Sequence, residues 1–453
     1  MKIGCLAFIG ALVCVVGASL TLSESGLGNS VNSSFVGTWE GKINNQPVVD
    51  LQIDEHGGKT SGFVLLYFQV GGRLPLLSPI LDNKTLSFEV QRRKCNGCKE
   101  LTSNAKFRME LSGPNEALLQ MTDDTNKLSG PEVKLVRRTD SPSWHDPSKH
   151  EVQFEIVEFG VRVEVLDWGG AGRPVVLLAG SGNTAHIFDE FAPKLTGFCH
   201  VYGITRRGYG ESSHPDAGYT EQRLAADVLQ VLDSLKIVVP VIVGHSAAGG
   251  ELTRLGDKHS DLLAGLVYLD AAADPADFPA ASPDYIALYN KLPSAKREHR
   301  PPSASDSISF QAYRGWQARS EEVAFPESEL RTMFETNPDG SVGTYKASTP
   351  FIDNAFGAGA VKRDYSGIRV PILALFASPS VEPKYEPKDA QERNAIAAFD
   401  AATEAYIARW KKSLKSAPGG VQITDIPGAN HYLFLSNEGD VIREIRTFIE
   451  GLK

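Results

Sequence analysis

Cysteine is scarce in this sequence, and long apolar runs are absent beyond its N-terminal end. Only five of the 453 residues are cysteines, and no second ligand pair accompanies the two that lie closest together, as a zinc site would require. No Walker-type phosphate loop is present, no GxGxxG follows a predicted strand, and no His, Asp and Glu set has metal-ligand spacing. The sequence therefore predicts no cofactor and no metal.

Strong charge of either sign is also missing. Hydrophobic residues make up 42% and charged residues 22% of the chain, which are ordinary fractions for a globular protein. The net charge is −9 and the isoelectric point is near 5.7. This mild acidity disfavours nucleic acid or an anionic membrane surface as the main partner.

The N-terminal end has the pattern of a secretory signal peptide. Lys2 supplies a short positive end, residues 3–16 are almost unbroken apolar sequence, and VGA at residues 16–18 offers a cleavage site. The apolar run is short for a membrane span, although an uncleaved anchor is the alternative. We expect residues 1–20 to be removed and the mature chain to be secreted or periplasmic, without stable membrane insertion.

Two cysteines remain close together after the signal peptide. Cys95 and Cys98 flank Asn-Gly in RRKCNGCKE, and Asn-Gly between strand-like runs favours a two-residue hairpin turn. The two thiols would then face each other, and export to an oxidising compartment would allow a disulfide. Free thiols and a metal or redox role are the alternatives. Cys199 stands alone and is expected to be a buried small hydrophobe.

Residues 34–138 differ from the sequence that follows them. Short runs with apolar alternation, from FVGTWEG to EALLQM, are separated by Gly, Asn, Asp and Pro. This pattern predicts an antiparallel β domain, a meander or small barrel. No Ser, His and acid cluster appears here, so we expect a structural or accessory role, with recruitment of a substrate or surface as the alternative. The polar, proline-containing residues 139–151 are the predicted linker.

From residue 152 to residue 453 the pattern is that of an α/β domain. Compact β-branched runs such as PVVLLAG and VVPVIVGHS alternate with amphipathic helices such as QRLAADVLQVLDSLKI. Alternating β and α units predict a mostly parallel sheet covered on both faces. Residues 275–369 interrupt this rhythm and are predicted to form a helical lid over the strand ends.

The stretch VVPVIVGHSAAGGE predicts a strand, a tight turn and a helix, with Ser246 in the turn. A nucleophile elbow needs small residues two before and two after its nucleophile. Gly244 and Ala248 meet that demand, with Ala in place of the second Gly of G-x-S-x-G. The turn would expose the Ser246 hydroxyl and aim the Ala247 N–H at an oxyanion. The alternative is a merely structural serine. His245, just before the serine, is expected to pack beneath the elbow.

These stretches resemble the α/β-hydrolase superfamily, from about residue 152 to residue 453. PVVLLAGSGNTAHIFD is similar to the family's third strand and oxyanion loop, usually His-Gly-x, with Ala179 in place of the histidine. The resemblance implies that the Ser181 N–H is the second oxyanion donor. YGITRRGYGESSH is similar to the loop after the fourth strand, where Arg207 is expected to be structural. FVGTWEG is similar to the opening strand of small β domains that precede exported bacterial hydrolases.

The resemblance also implies a base and an acid, in the order Ser, acid, His. His431, in IPGANHYLFL between the last strand and the closing helix, occupies the place of the family's histidine. The usual Gly-x-x-Asp after the seventh strand is missing. Asp270, at the end of LAGLVYLDA, matches members that carry the acid one strand earlier, haloalkane dehalogenases among them. Glu382 and Asp389 are the alternative acids.

A serine with a histidine and an oxyanion hole suits acyl transfer to water. We therefore expect an exported, carboxylesterase-like serine hydrolase that cleaves an ester-like bond of a small molecule. The alternatives are a serine aminopeptidase, with Glu321 and Glu322 as amine ligands, a cofactor-free lyase or perhydrolase, and a non-catalytic binding protein. His186, Phe188 and Trp316 are the candidates for the pocket wall.

Overall fold

The computed structural model contains two compact units, one within residues 1–143 and one that begins at Trp144. The structure describes residues 34–44, 46–56, 58–67, 73–93, 101–123, 125, 127–138, 144–277, 282–294, 301–347, 350–378 and 385–452.

Several predictions fall on residues outside these ranges. They concern the signal peptide (residues 1–20), the disulfide between Cys95 and Cys98, and the alternative acid Glu382. The predicted linker, residues 139–151, is described only from residue 144 onward, and that part belongs to the second unit.

The first unit is a nearly closed antiparallel sheet. Its described strands have the order β4-β3-β2-β1-β9-β8-β7-β6-β5, and the two edge strands are separated in the chain only by Leu76. Polar and apolar residues alternate, so that Leu86, Phe88 and Val90 of one strand face the interior. The strands are β1 Gly37–Ile43, β2 Gln46–His56, β3 Lys59–Leu66, β4 Leu74–Pro75, β5 Leu77–Asp82, β6 Thr85–Arg93, β7 Leu101–Leu111, β8 Glu116–Thr122 and β9 Leu128–Arg137.

The second unit is built on a mostly parallel sheet, as predicted. Its strand order is β10-β11-β13-β12-β14-β15-β18-β19, and only β10 and β11 run antiparallel to their neighbours. The strands are β10 Glu151–Glu158, β11 Val161–Gly170, β12 Arg173–Leu178, β13 Cys199–Thr205, β14 Val241–His245, β15 Gly265–Leu269, β18 Ile372–Phe376 and β19 Val421–Asp425, and a separate hairpin joins β16 Phe334–Thr336 to β17 Val342–Tyr345.

Both faces of this sheet are buried, which explains its continuous apolar strands. In β14, Val241 and Val243 belong to one core cluster and Ile242 belongs to the other. Cys199 in β13 is fully buried, as predicted.

Helices cover the sheet and fill the long insertion between β15 and β18. They are α1 Glu221–Ser234, α2 Gly249–His259, α3 Pro283–Lys291, α4 Phe310–Ser320, α5 Glu327–Met333, α6 Pro350–Ala358, α7 Ala390–Leu414, α8 Leu433–Ser436 and α9 Glu438–Gly451. Helices α3 to α6 and the hairpin lie within residues 275–369. Within the described ranges, no helix is both long and apolar enough to cross a bilayer.

The parallel strands end at one edge of the sheet, where the loops that follow them meet. The loops after β12, β14 and β15 carry Ser181, Ser246 and Asp270, respectively, and His431 lies between β19 and α8. The topology therefore gathers the predicted site residues from four distant parts of the chain.

Candidate active site

Ser246 occupies a sharp turn between β14 and α2. Its φ angle is +54°, a region that serine adopts only when the surrounding structure enforces it. A Cβ on Gly244 would lie 2.4 Å from Leu252 Cδ1, and one on Gly249 would lie 1.7 Å from the carbonyl oxygen of Ala271. The turn therefore needs glycine at position 249 and leaves little room for a side chain at position 244, which explains the small residues around Ser246.

Ser246, His431 and Asp270 form a continuous chain of contacts. Nε2 of His431 lies 2.9 Å from the Ser246 hydroxyl oxygen, and Nδ1 lies 2.7 Å from Asp270 Oδ2. Asp270 accepts hydrogen bonds only, so Nδ1 carries the proton and Nε2 is left to accept the serine proton. The His431 side chain is 48% exposed, so solvent reaches the site.

Asp270 is held in place by the sheet edge. Its φ angle is +46°, and the N–H of Ala377, just after β18, donates to Asp270 Oδ1 at 3.3 Å. Asp389, an alternative acid, instead caps α7, where its carboxylate accepts the N–H of Glu392 at 2.9 Å. Among the described residues, Asp270 is thus the predicted acid that contacts His431.

His245 packs beneath this group, as the sequence suggested. Its ring lies 4.7 Å from the His431 ring and 4.8 Å from the Tyr432 ring, centroid to centroid. Nε2 donates to the carbonyl oxygen of His431 at 3.1 Å. Burial is the main reason that the pKa of His245 lies well below its usual value, and the nearby His431 lowers it further. A neutral His245 therefore fixes the backbone of His431 without adding charge.

The loop after β12 passes directly over the elbow. A Cβ on Gly180 would lie 3.1 Å from Ser246 Cβ and 2.9 Å from His245 Nδ1, so only glycine fits there. The next residue, Ser181, is exposed. On the other side of Ser246, Ala247 lies in the first turn of the following helical segment, where N–H groups lack intrahelical partners.

Arg206 fixes the orientation of this loop, and the sequence analysis missed it. Its guanidinium donates to the carbonyl oxygens of Ala179 at 2.9 Å and Gly180 at 3.3 Å. In a trans peptide the C=O and the following N–H point in opposite directions. Holding the Gly180 carbonyl therefore directs the Ser181 N–H away from Arg206.

Arg206 is itself held by Glu251 of α2. Two parallel hydrogen bonds of 2.8 Å join the guanidinium to the carboxylate, and both side chains are buried. Burial alone would lower the pKa of Arg206, but Glu251 raises it above its usual value. The helix that begins at the elbow and the loop above it are thus joined through one ion pair. The doubled arginine of TRRG was the available sequence signal.

Glu329 of α5 is a second residue that the sequence analysis missed. Its buried carboxylate accepts hydrogen bonds from the Asn183 amide at 2.8 Å, the Thr184 N–H at 3.1 Å and the Thr184 hydroxyl. Asn183 also accepts a hydrogen bond from the Tyr432 hydroxyl at 3.0 Å. The insertion therefore holds both the loop after Ser181 and the residue next to His431.

The Glu329 carboxyl gives the protein a specific dependence on pH. Burial raises the pKa of Glu329 to about 7, although the hydrogen bonds from Thr184 and Asn183 oppose this. Between its usual pKa and about 7, the folded state holds a proton that the unfolded state has lost. The stability that Glu329 contributes is thus fully present at low pH and is lost as pH rises through about 7.

We expect Glu329→Gln to remove this dependence. From about pH 4 to about pH 8, the variant should gain roughly 3 kcal/mol of unfolding free energy relative to the wild type. Urea denaturation across this range measures the difference. Glu327→Gln, in the same helix and paired with Arg331, is the matched control and should show no such gain. Parallel curves for Glu329→Gln and the wild type would contradict the prediction.

The three candidates for the pocket wall lie in the interior. Phe188 and Trp316 belong to the core cluster on one face of the sheet. His186 is buried among carboxylates. None of the three has the exposure of His431.

Two curated hydrolases are similar to part of this chain. Epoxide hydrolase A of Mycobacterium tuberculosis is 36% identical over 121 residues, which are 26% of this chain and 37% of that protein. A putative carbamate hydrolase of Caulobacter segnis is 34% identical over 119 residues, 26% of this chain and 45% of that protein. The matches thus span less than half the length of these relatives.

A solved E-2-(acetamidomethylene)succinate hydrolase covers 67% of this chain and 100% of its own, with 16% identity and a TM-score of 0.48. The sequence model of the alpha/beta hydrolase family matches residues 175–444, more than half of the chain. The protein therefore belongs to the alpha/beta hydrolase family.

Proposed function

We propose that this protein is a serine hydrolase that cleaves ester-like bonds of small molecules through an acyl-enzyme on Ser246. The observation that carries the proposal is the chain of contacts from the Ser246 hydroxyl through His431 to Asp270, 2.9 Å and 2.7 Å long. A serine so placed has a base within reach, and the base is oriented by a carboxylate.

In the proposed reaction the Ser246 oxygen attacks the carbonyl carbon of the substrate, and its proton passes to Nε2 of His431. The N–H groups of Ala247 and Ser181 stabilise the oxyanion, while Asp270 stabilises the imidazolium. The imidazolium then protonates the leaving alcohol, which departs and leaves an acyl ester on Ser246. Water attacks this ester with His431 as base, and the carboxylic acid product is released.

A serine nucleophile favours acyl transfer over the epoxide hydrolysis named for the relative from Mycobacterium tuberculosis. A serine hydroxyl that opened an epoxide or displaced a halide would form an ether, which a histidine and water do not hydrolyse. A carbonyl carbon instead gives an ester intermediate that the same histidine can resolve. The expectation of a carbonyl substrate, rather than an epoxide or a haloalkane, therefore rests on Ser246 itself.

We also propose that the insertion of residues 275–369 acts as a lid and that residues 1–20 direct export. Contacts between the insertion and the His431 loop support the first: the Asn430 amide donates to the carbonyl of Glu321 at 3.0 Å, and the Phe325 ring lies 4.7 Å from the Tyr432 ring. Glu321 makes this contact through its backbone carbonyl. The contact therefore does not support the alternative in which the Glu321 carboxylate binds the amine of an aminopeptidase substrate. Export rests on the N-terminal sequence pattern alone.

A fluorophosphonate probe tests the serine hydrolase proposal. We expect the exported protein, recovered from the medium or periplasm, to gain one probe mass on the peptide that contains Ser246. Its N-terminus is expected near residue 20. Ser246→Ala and His431→Ala should not react, whereas His259→Ala, a histidine at the end of α2, is the control that should. Absence of the adduct on the wild type would overturn the proposal.

A further inference from the structure

Two histidines and two aspartates that the proposed reaction does not use meet in the second unit. Asp146 and His150 lie in the segment before β10, whereas His186 and Asp189 lie in the turn after β12. Each side chain offers one potential ligand atom, and these four atoms lie within 4.8 Å of one another. Sequence spacing could not reveal this group, because strands β10, β11 and β12 lie between its two halves.

The four side chains are close enough together to surround a small cation. Asp189 Oδ1 lies 2.8 Å from His150 Nδ1, and Asp189 Oδ2 lies 2.9 Å from His186 Nδ1. Asp146 Oδ2 lies 3.5 Å from His186 Nδ1 and 3.7 Å from His150 Nε2. In a tetrahedral zinc site with bonds near 2.1 Å, neighbouring ligand atoms are about 3.4 Å apart. One ligand atom from each of the four side chains lies within 4.8 Å of the other three, so small side-chain shifts would bring all four to the separations of such a site.

One ring nitrogen of the group lacks a well-formed hydrogen bond. The His150 side chain is 97% buried, and its Nδ1 makes no hydrogen bond, although an Asp189 oxygen lies 2.8 Å away. Buried ring nitrogens are normally satisfied, and a cation bound by His150 and Asp189 together would satisfy this one.

The surroundings fit metal ligands as well. Nε2 of His186 lies 3.6 Å from the buried Glu164, so that a His186 bound to metal through Nδ1 would face a carboxylate with its other nitrogen. Asp189 accepts hydrogen bonds from the Trp168 indole at 3.2 Å and the Ser328 hydroxyl at 2.5 Å. Each of these partners would orient a metal ligand without binding the metal itself.

Charge and access are also suitable for a divalent cation. With neutral imidazoles, Asp146 and Asp189 carry two negative charges and the adjacent Glu164 adds a third, so the group as a whole attracts a cation. A cavity of about 320 Å³ is lined by Asp146 and His186 together with Trp144, His214 and other residues, and it offers an entry path to the group.

We propose that Asp146, His150, His186 and Asp189 bind a transition-metal cation of the zinc class. Four protein ligands with little exposure make a closed, structural site rather than a catalytic one. Bound metal would fasten the segment before β10 to the turn that follows the Gly180 loop. The proposal does not depend on the reaction proposed for Ser246.

Metal analysis of the purified full-length protein tests this site. We expect about one zinc per chain after loading and dialysis. At a hundredfold excess over Kd, zinc should raise Tm by about 5 °C relative to the chelated protein. Cobalt in place of zinc should give the strong visible absorption of tetrahedral Co²⁺, a readout on the wild type that does not require any variant to fold.

His150→Ala and Asp146→Asn should lose the zinc, the cobalt spectrum and the metal-dependent rise in Tm. His200→Ala is the matched control, because His200 also pairs with an aspartate, Asp167, at 2.8 Å outside the group. It should keep all three properties. A wild type without stoichiometric metal, and with the same Tm in zinc and in chelator, would overturn the proposal and leave the group as an ion-pair network.

Discussion

Replacing Asp270 with Asn is expected to lower kcat/KM for an activated ester by about 10⁴-fold while the fold is retained. The reason lies in the tautomer of His431. In the wild type the N–H of Ala377 donates to Asp270 Oδ1, and the side-chain oxygen of Asn can accept the same hydrogen bond. The Asn amide then faces Nδ1 of His431, which must give up its proton to accept that hydrogen bond. The proton moves to Nε2, and Ser246 loses its base.

The fold should survive this change for a local reason. Asp270 has a φ angle of +46°, and Asn tolerates that region better than most residues. Thermal unfolding should therefore be close to that of the wild type, so that lost turnover is separable from lost structure.

Steady-state kinetics with p-nitrophenyl esters of increasing acyl length measures the effect and also locates the preferred acyl size. Glu382→Gln and Asp389→Asn are the matched controls, because the sequence offers both as alternative acids. Each is expected to keep wild-type turnover. An Asp270→Asn protein with intact turnover, alongside an inactive Glu382→Gln protein, would move the acid to Glu382.

The parts of the site that the sequence predicted are those that depend on residue patterns within a single short stretch. The apolar run of β14, followed by small residues around Ser246, predicts a strand, a turn and a helix from the local pattern alone. His431 is similarly marked by its place between the last strand and the closing helix. The alternating runs of residues 34–138 predicted strands, although the near closure of their sheet depends on pairings that alternation does not specify.

What could not be predicted depends on contacts between distant residues. The choice between Asp270 and Glu382 is of this kind, because β15 and β18 are neighbours and the loops after both strands start at the same sheet edge. The roles of Arg206 and Glu329 become visible only in the folded structure. Arg206 contacts the Gly180 loop and α2, and Glu329 contacts the residues that follow Ser181. A buried ionisable group is costly unless it is paired or hydrogen-bonded, so each marks a position where the fold needs a specific contact.

Arg206→Lys is the change that tests such a contact. We expect kcat to fall by about 10²-fold with little change in KM, as when one oxyanion donor is lost. A lysine ammonium cannot hold two carboxylate oxygens of Glu251 and two carbonyls at once. The Gly180 carbonyl would be released, and the Ser181 N–H would lose its fixed direction. Arg206 is thus a positioning residue, since it would act through Ser181.

Arg207→Lys is the control, because Arg207 is also buried and makes two hydrogen bonds with one carboxylate, that of Asp227, at 2.6 and 2.8 Å. Both variants should lose stability, but only Arg206→Lys should lose kcat. A boronic acid, which forms a tetrahedral adduct on the serine, should bind Arg206→Lys more weakly in proportion to the loss of kcat. If both variants lower Tm equally and retain wild-type kcat, Arg206 serves the fold alone and the Ser181 N–H is oriented by other contacts.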